Sequence, residues 1–311
     1  MALSLAKNSN RGSVGLDLDG GFLSAVQTGN DGIVRAASMD LAPGIISDGE
    51  VTDVTALTEA LKEFFKVNNL PRRVRLGVSN QQIVVRHLEL PKIAEDRELS
   101  AAVRFQAAEA IAMPIDEVVL DHQVLGETVT PEGATRLRIV VVAARESMIA
   151  RVVEAVRGAG LRPDGIDLNA FALVRALAHP ADTAETARVY CHLGGVTNLA
   201  IALGSTCLFT RTLSTAWDVQ EDENIAGALA EEIRLSIDFY MAQPEARWVG
   251  EVVLSGPGAR HPGLSEGLAG LIEMPVTVAE PLGMVSAANL PVGEDPYRHT
   301  VATGLALGAY S

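Results

Sequence analysis

Two distant stretches of this chain spell the same local pattern. In the first, Val14-Gly15-Leu16-Asp17-Leu18-Asp19-Gly20-Gly21, an apolar run meets two acids and two glycines, and strand-like sequence then resumes over Phe22–Gln27. In the second, Val189-Tyr190-Cys191-His192-Leu193-Gly194-Gly195-Val196-Thr197-Asn198-Leu199, an apolar run meets a Gly-Gly pair and continues as a strand over Ala200 to Leu203. A short apolar run bounded by turn residues reads as a buried strand, and the glycines permit a tight turn that a phosphate can approach closely. A third turn, Ser255-Gly256-Pro257-Gly258-Ala259, follows the run Val252-Val253-Leu254. One such turn is an ordinary hairpin or the start of a helix. Three in one chain, two of them heading similar segments, predict a duplicated α/β architecture with a cleft between the copies.

Composition bounds the rest. The chain has 311 residues, enough for two domains with a sizeable core, and with 48% hydrophobic and 21% charged residues it should be globular. Its net charge of −14 excludes nucleic-acid binding through a basic face and adhesion to an anionic bilayer by charge. No apolar run approaches the roughly 18 residues needed to span a membrane, and the first seven residues are too short an apolar stretch for a signal peptide. Cys191 and Cys207 match no common metal spacing and read as buried, reduced thiols. The expectation is a cytoplasmic protein.

Read in order, residues 1–12 are polar after the first few and are expected to be mobile. Strands are predicted over Val14–Leu18, Phe22–Thr28 and Ile33–Asp40, with Gly29-Asn30-Asp31-Gly32 as hairpin punctuation. Asp53 is placed to cap a helix over Val54–Val67, whose Leu57, Leu61, Phe64 and Phe65 share a face. A strand over Val74–Val78 completes β-β-β-α-β. Ile83–Leu90, a helix over Asp96–Ala112, and strands over Val118–Leu125 and Arg136–Ala143 around a loop Gly126–Thr135 form a strand-helix-strand-strand unit. Helix Glu146–Gly158, strand Gly165–Leu168 and helix Ala170–Leu177 follow, and the acidic linker His179–Thr186 marks a lobe boundary. The second half contains hairpin strands to Arg211, a loop with Trp217 and the acids Glu221, Asp222 and Glu223, and a helix over Ile225–Met241. Strand Val249–Leu254, helix Pro262–Ile272, strand Val276–Val278 and a small-residue helix over Thr300–Tyr310 complete it. The organisation expected is a first lobe over 13–82 and 144–180, an inserted unit over 83–143, a second lobe over 187–299, and a last helix packing back on the first lobe.

The turns, taken with the inserted unit, resemble the actin-like ATPase superfamily, and the whole chain is most similar to its PilM branch in type IV pilus assembly. The segments that carry the likeness are Val14-Gly-Leu-Asp17, Pro43-Gly-Ile-Ile-Ser-Asp-Gly49, Ile83-Val-Val-Arg86-His-Leu-Glu-Leu-Pro91, Ala102-Val-Arg104-Phe105-Gln-Ala, Met113 to Gly126, Ala159-Gly-Leu-Arg-Pro163, Glu232 to Tyr240, Leu254-Ser-Gly256-Pro-Gly258 and Thr303-Gly-Leu-Ala-Leu-Gly308. The inserted order separates PilM and FtsA from actin and sugar kinases. The resemblance implies a two-lobed actin-like fold and a cytoplasmic adaptor, peripheral to the inner membrane, that binds the short N-terminal tail of a PilN-like protein in a groove between the first lobe and the inserted unit. It also raises a motor ATPase or self-association as further partners. The cytoplasmic part of the type II secretion protein GspL is a neighbouring reading. Within the implied groove, Arg86, Arg104 and Phe105 are the candidate contacts, with Arg104 pairing to a surface acid and Phe105 in the core as the alternative.

The same resemblance implies ATP or ADP with Mg²⁺ held by Asp17, Asp19, Gly20, Gly21, Gly194, Gly195, Thr197, Asn198 and the turn Gly256, Pro257, Gly258, Ala259, with Asp17 as the metal residue. The residues depart from that pattern. Asp19 stands where the family carries glycine, Ser24 where lysine is common, and His192 in place of an acid. An extra carboxylate repels a triphosphate, and a neutral imidazole is a poor Mg²⁺ partner. The connection Thr212–Ile225 is short. The expectation is therefore a degenerate cleft with no catalysis and no tightly bound nucleotide. In that reading Asp17 is a remnant or a local cap, Asp19 a solvated or turn-capping acid, and His192 a satisfied core histidine.

Overall fold

The computed structural model describes residues 13–29, 32–130, 133–178, 185–213, 225–283, 285–286 and 290–308. The predicted acidic loop with Trp217, the linker from His179 and the end of the last helix lie outside the described residues.

The first half folds from strands β1 (Val14–Leu18), β2 (Phe22–Gly29) and β3 (Gly32–Asp40), the small hairpin β4 (Ile46–Ser47) and β5 (Glu50–Val51), helix α1 (Val54–Val67) and strand β6 (Arg73–Val78). The α1 bounds follow from local chemistry. Asp53 is extended, and its Oδ1 accepts from Ala56 N at 2.9 Å, satisfying a first-turn amide for about 1 kcal/mol. The stripe Leu57, Leu61, Phe64 and Phe65 is buried, each side chain contributing roughly 1.5–3 kcal/mol.

Next come β7 (Val84–Pro91), α2 (Asp96–Ala110), β8 (Val118–Val129) and β9 (Thr135–Arg145), then α3 (Glu146–Gly158), β10 (Arg162–Leu168) and α4 (Asn169–Leu177). β7, β9 and β8 form a three-stranded sheet in that order. Strand alternation gives it two working faces. Leu137, Ile139, Val141 and Ala143 pack with Leu99, Val103 and Ala107 of α2, whereas Val142 and Ala144 join the core of the first lobe. The predicted loop from Gly126 is too long. Gly126, at φ 155°, sits at a register shift in β8 rather than in a turn, so this glycine marks a bulge and the strand continues.

The second half contains β11 (Ala187–His192), β12 (Asn198–Leu203), β13 (Thr206–Thr212), α5 (Ile225–Met241), β14 (Val249–Ser255), α6 (Leu264–Ile272), β15 (Val276–Val278) and α7 (Thr300–Leu307). Its sheet runs β13-β12-β11-β14-β15, and the first runs β3-β2-β1-β6-β10. The pairings match strand for strand. The first strand of each is antiparallel to the second and parallel to the strand after the long helix. β1 is central and buried along its whole length, which is why it reads as a continuous apolar run.

Helices α4 and α7 back these sheets. Ala170, Leu173 and Val174 of α4 pack on Tyr190, Ala200 and Ala202 of the second sheet. α7 lies against β1, β2, β6 and α4, close enough that Gly304 meets the Ala172 carbonyl where any side chain would collide. Arg175 ties the pair: it is buried, donates to Gly304 O at 2.7 Å and holds Asp167 at 2.6 Å.

Candidate functional site: the facing turns

The β1–β2 and β11–β12 turns meet between the sheets. Asp19, in the first turn, is only 4% exposed, and its Oδ1 accepts from Gly195 N in the second turn at 2.6 Å. This corrects its reading as a solvated acid: a partner 176 residues away buries it. The approach demands glycine. A Cβ at Gly195 would lie 2.8 Å from both Asp19 O and Gly21 N, and one at Gly194 would strike the Asp19 carboxylate.

Asp17 is the penultimate residue of β1 and is 1% exposed. Its Oδ1 accepts from Asn169 Nδ2 at 3.1 Å, and its Oδ2 has no partner. Burial, with the charge of Asp19 beside it, holds its carboxyl well above the usual carboxylate range. Burial also raises Asp19, to about 6, although the amides of Gly195, Gly21 and Val196 and the charge of Arg298 favour its ionised form. His192 ends β11, 1% exposed. Its Nδ1 pairs with Ser255 Oγ at 3.0 Å, but Nε2 has no partner, so it is a half-satisfied core histidine. Burial lowers it to about 4, leaving a neutral imidazole.

The other residues named from the sequence are distributed around this centre. Gly20, at φ 104°, and the exposed Gly21 form the outer part of the first turn. Thr197 is buried with Oγ1 unpartnered. Asn198 donates to Val196 O at 3.1 Å and accepts from Ser79 of the first lobe, whose hydroxyl also lies 3.2 Å from Thr212 Oγ1. The third turn opens a 3₁₀ segment, Pro257–Arg260. Gly258 N donates to Leu193 O at 3.0 Å and Ala259 N to Gly256 O at 3.1 Å, so both amides are engaged within the protein. Ser24 is buried and paired with His299 Nδ1 at 2.8 Å. Ser79 and Asn169 escaped sequence reading, and Ser255 was named only as part of the third turn. Ser79 and Asn169 each directly follow a strand, β6 and β10, and that position was the available signal.

Arg86, Arg104 and Phe105 are not gathered here. Arg104 pairs with Asp116 at 2.8 Å, and Arg86 donates to the neighbouring Val85 carbonyl at 2.9 Å. Phe105 is 68% exposed, which overturns its core alternative. A separate groove of about 670 Å³ runs between α3 and β8, lined by Val119, Ile149, Ala150, Val153, Glu154 and Arg157 among others. It lies on the face of the three-stranded sheet opposite α2.

Two matched five-stranded sheets, facing hairpin turns and an inserted unit define an actin-like fold. The profile of the family described as type IV pilus assembly protein PilM matches residues 23–215 and 223–310, and the chain belongs to that family. It is similar to the PilM structure of a "PilM-PilN type IV pilus biogenesis complex", at 26% identity and TM-score 0.82, covering 97% of this chain and 100% of that one. More distant likenesses share the fold. One is the ethanolamine utilization protein EutJ from Carboxydothermus hydrogenoformans, at 14% identity and TM-score 0.55, covering 99% and 92%. Another is the cytoplasmic domain of EpsL, an inner-membrane component of the type II secretion system of Vibrio cholerae, at 12% identity and TM-score 0.50, covering 95% and 93%. Among the described residues no helix is long and apolar enough to cross a membrane.

Proposed function

We propose that this protein is an adaptor of the type IV pilus machinery that binds the short cytoplasmic tail of a PilN-like membrane protein and works without nucleotide turnover. The observation that carries the adaptor reading is the full-length likeness to a PilM found in complex with PilN. The groove between α3 and β8 is the assigned tail site. It is apolar along Val119, Ile149 and Val153, with Glu154 and Arg157 at hand to fix a peptide's polar groups. The exposed Phe105, with Arg104 and Arg86, is a second candidate contact, favoured by a large aromatic ring left in water.

The cleft geometry supports the absence of turnover. A triphosphate would have to displace the Asp19 carboxylate from the Gly195 amide, and it would face two buried acids. The Gly258 amide is already spent on Leu193.

Calorimetry with a synthetic PilN-type tail peptide tests the adaptor reading on the parent, on Ala150→Trp to block the groove, and on Phe105→Ala and Arg104→Glu. Binding lost only with Ala150→Trp assigns the groove. Binding lost only with the α2 variants moves the site to that face. A parent that does not bind overturns the adaptor reading. Titration with MgATP is expected to show no submillimolar affinity, whereas the double variant Asp19→Gly, His192→Asp is expected to gain it; tight binding by the parent would overturn the degenerate-cleft reading.

A further inference from the structure

The centre between the two turns contains more than a closed latch. One donor atom from each of Asp17, Asp19 and His192 lies within 4.8 Å of the other two, and all three residues are buried. Asp17 and His192 are each oriented by a hydrogen bond through one polar atom, and Asp19 is held by backbone amides of both turns. Asn169 holds Asp17 Oδ1, Gly195 N holds Asp19 Oδ1, and Ser255 holds His192 Nδ1. Two of the remaining atoms, Asp17 Oδ2 and His192 Nε2, are without any partner. Buried polar atoms are normally satisfied, so two orphans in one three-residue cluster call for an occupant. The arrangement is that of a metal site: ligands positioned through their second atoms, with the Nδ1 bond of the histidine leaving Nε2 free to coordinate.

We propose that Asp17, Asp19 and His192 ligate a divalent transition-metal ion of the zinc class directly, and that this ion clamps the two lobes together. The donor set selects the metal. Magnesium and calcium favour all-oxygen shells, whereas a neutral imidazole beside two carboxylates suits Zn²⁺, Co²⁺ or Mn²⁺. The charges balance, since a divalent ion offsets the two buried carboxylates. Two ligands come from the first lobe and one from the second, so the ion cross-links hairpins that otherwise meet through the Asp19–Gly195 bond. No phosphate is needed to complete this link, which is independent of the adaptor reading.

The experiment uses the full chain, tag removed, stripped with chelator and kept free of nucleotide. Zinc chloride is titrated by calorimetry, and cobalt chloride is followed by visible absorption. One ion per chain is expected, with affinity unchanged by millimolar Mg²⁺, a cobalt band typical of four or five ligands, and a melting point that rises with metal concentration. His192→Gln and Asp17→Asn are each expected to abolish the cobalt band and the melting shift. No saturable binding, binding that requires added nucleotide, or binding that survives both substitutions would overturn the proposal. If either variant fails to fold, anomalous scattering at the zinc edge from parent crystals decides the matter: a peak between Asp17 and His192 supports the site, and its absence there overturns it.

Discussion

The two lobes carry the same strand order and the same hairpin turn, yet the turns contribute opposite chemistry. The first supplies carboxylates, Asp17 and Asp19. The second supplies amides and a neutral imidazole, Gly195 and His192. In a cleft built to accept phosphate, both turns would present donors to an anion from outside. Here one turn serves as the anion for the other. A duplicated scaffold can thus keep its geometry while its two halves become ligands of each other.

The largest way to break this comparison is through the backing of the first lobe. Arg175→Ala leaves Asp167 buried without its partner and frees the Gly304 carbonyl, and is expected to cost about 3–5 kcal/mol in urea unfolding. A loss under about 1 kcal/mol would mean that α4 and α7 are held by apolar packing alone.

The facing turns come next. Gly195→Ala pushes against the Asp19 carboxylate and also against backbone at Asp19 and Gly21, and is expected to cost about 1–3 kcal/mol, only partly relieved by Asp19→Ala. Gly194→Ala meets only the Asp19 side chain, so Asp19→Ala should rescue it, with a coupling of about 1 kcal/mol in a double-mutant cycle. Equal coupling at both glycines would show that the turns do not meet as described.

A smaller effect is expected at the polar seam. Asn198→Ala removes the acceptor of Ser79 and the donor to Val196, for about 1 kcal/mol by chemical denaturation. The smallest belongs to Glu294. Its partial burial raises its pKa, but bonds from His299 and Ser38 outweigh this and bring it below the ordinary glutamate value. The stability it adds is therefore present above the unfolded-state value and lost as pH falls through the folded one. Solvent screening limits it to about 0.5 kcal/mol, so Glu294→Gln should flatten the acid limb of a stability–pH curve only slightly.

What was legible in the sequence was local. The α1 bounds and the Asp53 cap follow from neighbours within a turn, and the strands of both sheets follow from apolar runs. What was not legible depended on distant partners. Nothing near Asp19 announces that Gly195 will bury it, and nothing near His192 shows that only one of its nitrogens will find a partner. Gly126 was misread because a glycine between strand-like segments signals a turn and a bulge equally well. The exposure of Phe105 was ambiguous because α2 has apolar residues on more than one side.

Helix α7 has a consequence for how the molecule comes into being. Its residues leave the ribosome after the whole second lobe, yet they cover strands β1 and β2, which were made first. The emerging first lobe must therefore wait, with the faces of its oldest strands uncovered, until about 270 further residues beyond β2 have been translated. Contacts of such sequence separation form slowly and leave the nascent chain open to misassociation in the meantime. The second lobe has no such dependence on a later helix for the core it builds from α5 and α6. The order of synthesis and the order of completion are thus reversed, and the N-terminal half is the last to close.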